Sequence, residues 1–167
     1  MTFKTDNPLP GDLGLARISG FVGGAIDLGQ RLIGSGSYFT HVFVVGRGGD
    51  AYQAQPGGAV PLALSDAING RRVVYSNFDL TPDQRNAIVA AAKAMLGTPY
   101  SDLDYPAIGA ARLLHFNWLE RYVGDTGHMI CSVFGVEAYR HAGIELFPSR
   151  IPGDVVPGDI ARLIGAA

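Results

Sequence analysis

The sequence predicts an α+β protein, with strands in the first half of the chain and helices in the second. Two observations carry this. Runs rich in β-branched and aromatic residues, bounded by Gly, Pro and Asp turns, cluster before residue 80; Thr40-His41-Val42-Phe43-Val44-Val45-Gly46 is the clearest. Helical periodicity with recognisable start signals begins only at Thr81. Segregated strands and helices are the signature of the α+β class.

Taken in order, turn-rich residues 6–14 lead into an apolar run, Leu13 to Ile18, that reads as a first strand. A helix is expected around 23–33, because Val22, Ile26 and Ile33 recur at helical spacing, although Gly23, Gly24 and Gly29 weaken it. The His41 strand ends in Gly46-Arg47-Gly48-Gly49-Asp50, a hairpin turn, and Ala51 to Gln55 reads as its antiparallel partner. Pro56-Gly57-Gly58 turns the chain again before Ala59 to Leu64, and Arg71 to Ser76 is a further strand. These runs predict an antiparallel meander of three to five strands, as a sheet or small barrel.

At Thr81-Pro82-Asp83-Gln84 a capping residue, a proline suited to the first helical position and the glutamine of a capping box begin a helix over 83–96, stopped by Gly97. A loop over 98–107 precedes a helix from 107 to about 122. The segment containing Cys131 then turns helical and ends near Gly143. Pro148, Pro152 and Pro157 punctuate a loop-like tail in which 159–164 forms a strand or short helix. The whole chain, 1–167, reads as one domain: strands over 8–80, helices over 81–143 and a Pro-rich tail over 144–167.

Composition narrows the function. The 167 residues are 47% hydrophobic and 17% charged, enough to build one core, and the net charge of -2 offers no electrostatic footprint for nucleic acid. Eleven arginines against two lysines read as compositional bias. One cysteine forms no internal disulfide, which fits a reducing compartment. The N-terminus lacks the apolar core of a signal peptide, and no apolar run reaches membrane-spanning length, so a cytoplasmic or virion-associated protein without an integral membrane segment is expected.

Cys131 is the most informative residue. A cysteine at the start of a helix has its thiolate stabilised by unpaired N–H groups and the helix dipole. Its own N–H can also serve an oxyanion. Most lone cysteines are simply small buried hydrophobes, so the cysteine needs a base beside it. His41 opens an otherwise apolar strand and is the candidate; His128, three residues before the cysteine, is a rival. Gln53 on the partner strand can hold the imidazole, and Gln55 shares its face by alternation. Asp125, His128 and Cys131 offer three candidate metal ligands without a second Cys/His pair at zinc spacing, so no metal and no cofactor are expected. His115 and His141 read as solvated, and Asp102 and Asp104 as turn residues.

Four segments then align with a known pattern: Pro10-Gly11-Asp12-Leu13, the strand from Thr40 to Gly46, Leu96-Gly97-Thr98-Pro99-Tyr100, and Cys131-Ser132-Val133-Phe134. Together they resemble the NlpC/P60 superfamily of papain-like cysteine hydrolases. The histidine precedes the cysteine, as in the circularly permuted branch that includes lecithin:retinol acyltransferase-like and YiiX-like proteins. The resemblance spans residues 8–142. It implies a papain-like fold in which an antiparallel sheet or small barrel packs against a helical part carrying the nucleophile. It implies Cys131 as nucleophile and His41 as general base, with Tyr100 beside the substrate or oxyanion. Gln53 stands where permuted relatives often carry an acid.

The expected activity is cleavage of an amide, ester or thioester, with a peptidoglycan peptide or an acyl lipid as substrate and acyl transfer as a variant. The competing expectation is a binding or assembly module, such as a phage or envelope component, on the same fold.

Overall fold

The computed structural model describes residues 2–18, 23–24, 27–28, 30–31, 34–55, 58–98 and 131–167. Six strands, β1 (Thr2–Lys4), β2 (Leu13–Ala16), β3 (His41–Val45), β4 (Asp50–Gln55), β5 (Gly58–Ala63) and β6 (Val73–Asn77), form one open sheet in the order β1-β6-β2-β3-β4-β5. Every pairing is antiparallel. The described helices are α1 (Leu64–Ile68), α2 (Pro82–Ala94), α3 (Cys131–His141) and α4 (Pro157–Leu163), with a 3₁₀ turn at Pro152–Asp154. Residues 23–24, 27–28 and 30–31 are helical, within the span where a helix is expected. The expected helix over 107–122 lies outside the described residues.

The architecture is α+β, as the segregation of patterns predicts. The sheet departs from a plain meander. Strands β2 to β5 do follow one another, but β6 crosses back to pair with β2, and β1 pairs with β6 at the edge. The short β1 has no alternating apolar pattern, so nothing local marks it. Its pairing with β6 through Phe3 and Ser76 defines it instead. The sheet is open, not a barrel.

The unbroken apolar run of β3 follows from cover on both faces. Val42 and Val44 belong to the main core with Leu13, Leu15, Tyr52, Ile88, Phe134 and Tyr139. Phe43 and Val45 face a smaller cluster with Ala16, Ala51, Tyr75 and Ala67 of α1. Sequence reading missed α1, because five residues without a side-chain cap carry too little periodicity to register. The capping box at Thr81 and Gln84 is present, with the Gln84 amide N donating to Thr81 Oγ1 at 3.2 Å and the Thr81 amide to Gln84 Oε1 at 2.9 Å.

Helix α3 packs on α2, β3 and β4. Gly135 permits the close approach: a Cβ there would lie 3.1 Å from Leu13 Cδ2 and 3.2 Å from Val42 Cγ1. Two clamps hold α3 in register. The first is Pro10-Gly11-Asp12-Leu13. Asp12 is fully buried and meets Lys4 Nζ at 2.7 Å and Arg85 Nη1 of α2 at 2.8 Å. Gly11, at φ +88°, donates its amide to Val45 O, and Tyr139 Oη of α3 donates to Gly11 O at 2.7 Å. One turn thus joins β1, β3, α2 and α3.

The second clamp is the C-terminal segment, which is not loop throughout. Residues 157–163 form α4, with Pro157 at its first position. Asp159 is buried. It accepts from Ser35 Oγ at 2.7 Å, Arg150 Nη2 at 2.9 Å and the Val156 amide at 3.0 Å. Gly158 N donates to Gln30 Oε1 at 2.6 Å, while Gln30 Nε2 donates to Phe39 O at 3.1 Å. Ser132 Oγ donates to Val155 O at 2.6 Å. The tail therefore fixes both the approach to His41 and the first turn of α3.

Asp159 makes the second clamp acid-labile. Burial alone would raise its carboxyl, but hydrogen bonds from Arg150, Val156 and Ser35 outweigh it and hold it below its ordinary value of 3.8. A lowered folded-state value means stability that is present above the unfolded value and lost as pH falls through the folded one. Urea midpoints are expected to drop below about pH 4, and in Asp159→Asn the drop should be smaller and start from a lower midpoint at neutral pH. An equally steep acid limb in the variant would show that other carboxylates dominate.

Candidate active site

His41 is the first residue of β3 and Cys131 the first of α3, so the two meet where the elements begin. Both are buried, Cys131 at 1% and His41 at 5% exposure. The cysteine side chain is within hydrogen-bonding reach of the imidazole. On the other side, His41 Nε2 lies 2.6 Å from Gln53 Oε1, and Gln53 Nε2 donates to Gln55 Oε1 at 2.8 Å.

Register explains the arrangement. Val44 pairs with Tyr52 and Val45 with Ala51, so the odd-numbered positions of β3 and β4 share a face. His41, Gln53 and Gln55 stand together there. Gln53 touches the ring, and Gln55 touches Gln53. The two glutamines, rivals in the sequence, act in series.

The chain of donors also sets the tautomer. An amide oxygen only accepts, so Nε2 carries the proton it gives to Gln53, and Nδ1 is left to accept from the thiol. Gln55 Oε1 holds the Gln53 amide in the orientation that keeps its oxygen toward the ring. Sequence reading found the participants but not this second link, since alternation alone does not say which glutamine reaches the histidine.

Burial pulls the His41 imidazole downward, but the negative charge and hydrogen bond of Cys131, then the hydrogen bond to Gln53, more than offset it. The net direction is upward from the ordinary histidine value, with Arg71 opposing it. Such a pair favours an imidazolium beside a thiolate.

The Gly97-Thr98 turn comes to the same region. Gly97 N donates to Ala59 O and Ala59 N to Thr98 O, beside the Gln55–Gly58 pair that closes the β4–β5 hairpin. Tyr100, two residues on, lies outside the described residues, as do Asp102, Asp104, His115, Asp125 and His128. His141 is exposed, with Nε2 3.6 Å from Glu137 Oε2. No helix among the described residues is long and apolar enough to cross a membrane.

No protein-family model matches the chain, and no curated protein sequence matches it.

Proposed function

We propose that the chain is a cysteine hydrolase of the circularly permuted NlpC/P60 type, with a papain-like fold, cleaving an amide, ester or thioester. The observation that carries this reading is the buried series Cys131–His41–Gln53, assembled from separate elements at one end of the sheet. A nucleophile, a base and a group orienting the base is the minimum set for covalent acyl transfer. An amide in the third place is compatible with it, as in the Cys-His-Asn arrangement of papain-like proteases.

The steps follow from the tautomer. His41 Nδ1 takes the thiol proton while Nε2–H stays on Gln53. Cys131 Sγ attacks the carbonyl carbon, a C–S bond forms, and the carbonyl π electrons move to oxygen. The Cys131 amide N–H serves that oxyanion. Imidazolium Nδ1–H protonates the leaving nitrogen, oxygen or sulfur as its bond to carbon breaks, which leaves a thioester. His41 then deprotonates water, which attacks the thioester and releases the acid and the thiol. With another acceptor in place of water, the same site is an acyltransferase. Tyr100 is assigned beside the substrate, and a peptidoglycan peptide or an acyl lipid is the substrate class. Gln53 departs from the acid often found at its position in permuted relatives, which favours one alternative: a binding or assembly module that keeps the fold with a silent site.

Thiol alkylation separates the two. In the native chain, the Cys131 rate with iodoacetamide is expected to stay high well below the ordinary thiol value near pH 8.5, because the imidazolium persists beside the sulfur. His41→Ala should return the profile to that of an ordinary thiol. Identical profiles in the two proteins would support the module and sink the dyad.

A further inference from the structure

We propose that Arg17 and Arg72, gathered with Tyr38 beside His41, form a subsite for a carboxylate carried by the acyl substrate. This deepens the hydrolase reading and rests on it. The sheet register places the group. Ala16 pairs with His41 on one side and with Val73 on the other, so the three residues form one row across β3, β2 and β6. Arg17 leaves the end of β2, Arg72 immediately precedes β6, and Tyr38 lies three residues before β3. All emerge at the same end of the sheet, and Arg72 is offset from His41 by two strand spacings, about 10 Å.

At that end the arginines are held, not loose. The Arg17 guanidinium lies 5.2 Å from the Tyr38 ring centroid and that of Arg72 5.4 Å. Tyr38 itself is 44% exposed, a large ring kept at the surface. Stacking on the ring faces restrains two planar forks while leaving their N–H edges available to a carboxylate. The cluster already accommodates one: Asp27 Oδ2 lies 3.4 Å from Arg17 Nη2, with Asp27 Oδ1 held by Arg31 Nε at 2.9 Å. Adjacent Arg71 and Arg72 are exposed and make no ion pair among the described residues. Among the described residues, Asp27 is the one carboxylate paired with these arginines, and it meets Arg17 and Arg31, not Arg71 or Arg72. Arg71, the residue before Arg72, acts on His41 electrostatically.

Two alkylating agents of similar size, one anionic and one neutral, test it. Iodoacetate carries a carboxylate and iodoacetamide does not; with either, the Cys131 thiolate forms an S–C bond and displaces iodide. Rates are measured on the full chain at low ionic strength, and their ratio cancels any general change in thiol reactivity. The iodoacetate/iodoacetamide ratio is expected to exceed that of N-acetylcysteine and to fall about fourfold in Arg17→Gln/Arg72→Gln, the effect of two charges at about 10 Å in a water-like dielectric. Added salt should compress the wild-type ratio. Should the double variant fail to fold, Arg72→Gln is compared with Arg72→Lys, which keeps the charge and should keep the ratio. An unchanged ratio in the folded charge-removing variant overturns the subsite alone, provided the iodoacetamide rate remains His41-dependent. An iodoacetamide rate independent of His41, or no labelling of the native chain, overturns the nucleophile reading and the subsite with it.

Discussion

In Cys131→Ala, acyl-enzyme formation from p-nitrophenyl acetate is expected to disappear, with the burst of p-nitrophenolate lost and the remaining rate lower by about 10³ or more, as when a nucleophile is removed from a cooperating set. The cause is chemical, not structural. Cys131 is 1% exposed and adds one sulfur to a helix already held by Ser132 to Val155 O and by Tyr139 to Gly11 O. Losing that atom leaves a small cavity costing about 1 kcal/mol, which the urea midpoint should register as a minor shift. A burst that survives in the alanine variant would assign acylation to another group.

Asp12→Ala is expected to destabilise the fold by about 3–5 kcal/mol, as when one partner of a buried ion pair is removed. Asp12 has no exposed surface and holds Lys4, Arg85 and the Leu9 amide together. Its removal leaves two cations facing each other across an apolar turn. The clamp joins β1, α2 and, through Gly11 O, α3, so loosening should reach the Cys131–His41 pair. The His41-dependent part of the Cys131 alkylation rate should fall as well, at temperatures where the variant remains folded. Asp12→Asn keeps an acceptor for the Leu9 amide and should recover part of the loss. Equilibrium urea unfolding decides the matter. A change under about 1 kcal/mol would show that Lys4 and Arg85 are solvated well enough to stand alone.

The two experiments probe different roles of one motif set. Cys131-Ser132 carries the proposed nucleophile and also a structural hydrogen bond to the tail. Pro10-Gly11-Asp12-Leu13 makes no contact with the reacting groups among the described residues. Its value lies in placing α3 over β2 and β3, so that the first residues of α3 and β3 meet. This is how a turn far from the chemistry bears on it: a misplacement of about 1 Å in a proton-transfer pair costs far more rate than stability.

Much of the fold was legible from local pattern. The β3–β4 hairpin announced itself through its turn residues, α2 through Thr81, Pro82 and Gln84, and α3 through the spacing after Cys131. These signals are local because caps and turns satisfy backbone groups within a few residues. The alternation of β4 also placed Gln53 and Gln55 on one face, and chain order singled out His41 and Cys131. What stayed hidden has long-range causes. The insertion of β6 beside β2 depends on cross-strand pairing between residues about 60 apart, and β1 exists only because β6 presents an edge. The buried role of Asp12 requires Lys4 and Arg85 to arrive from two other elements. Tertiary structure alone decided that Gln53 holds the imidazole while Gln55 holds Gln53, since a period of two puts side chains on a face but the twist and register of the sheet choose their partners.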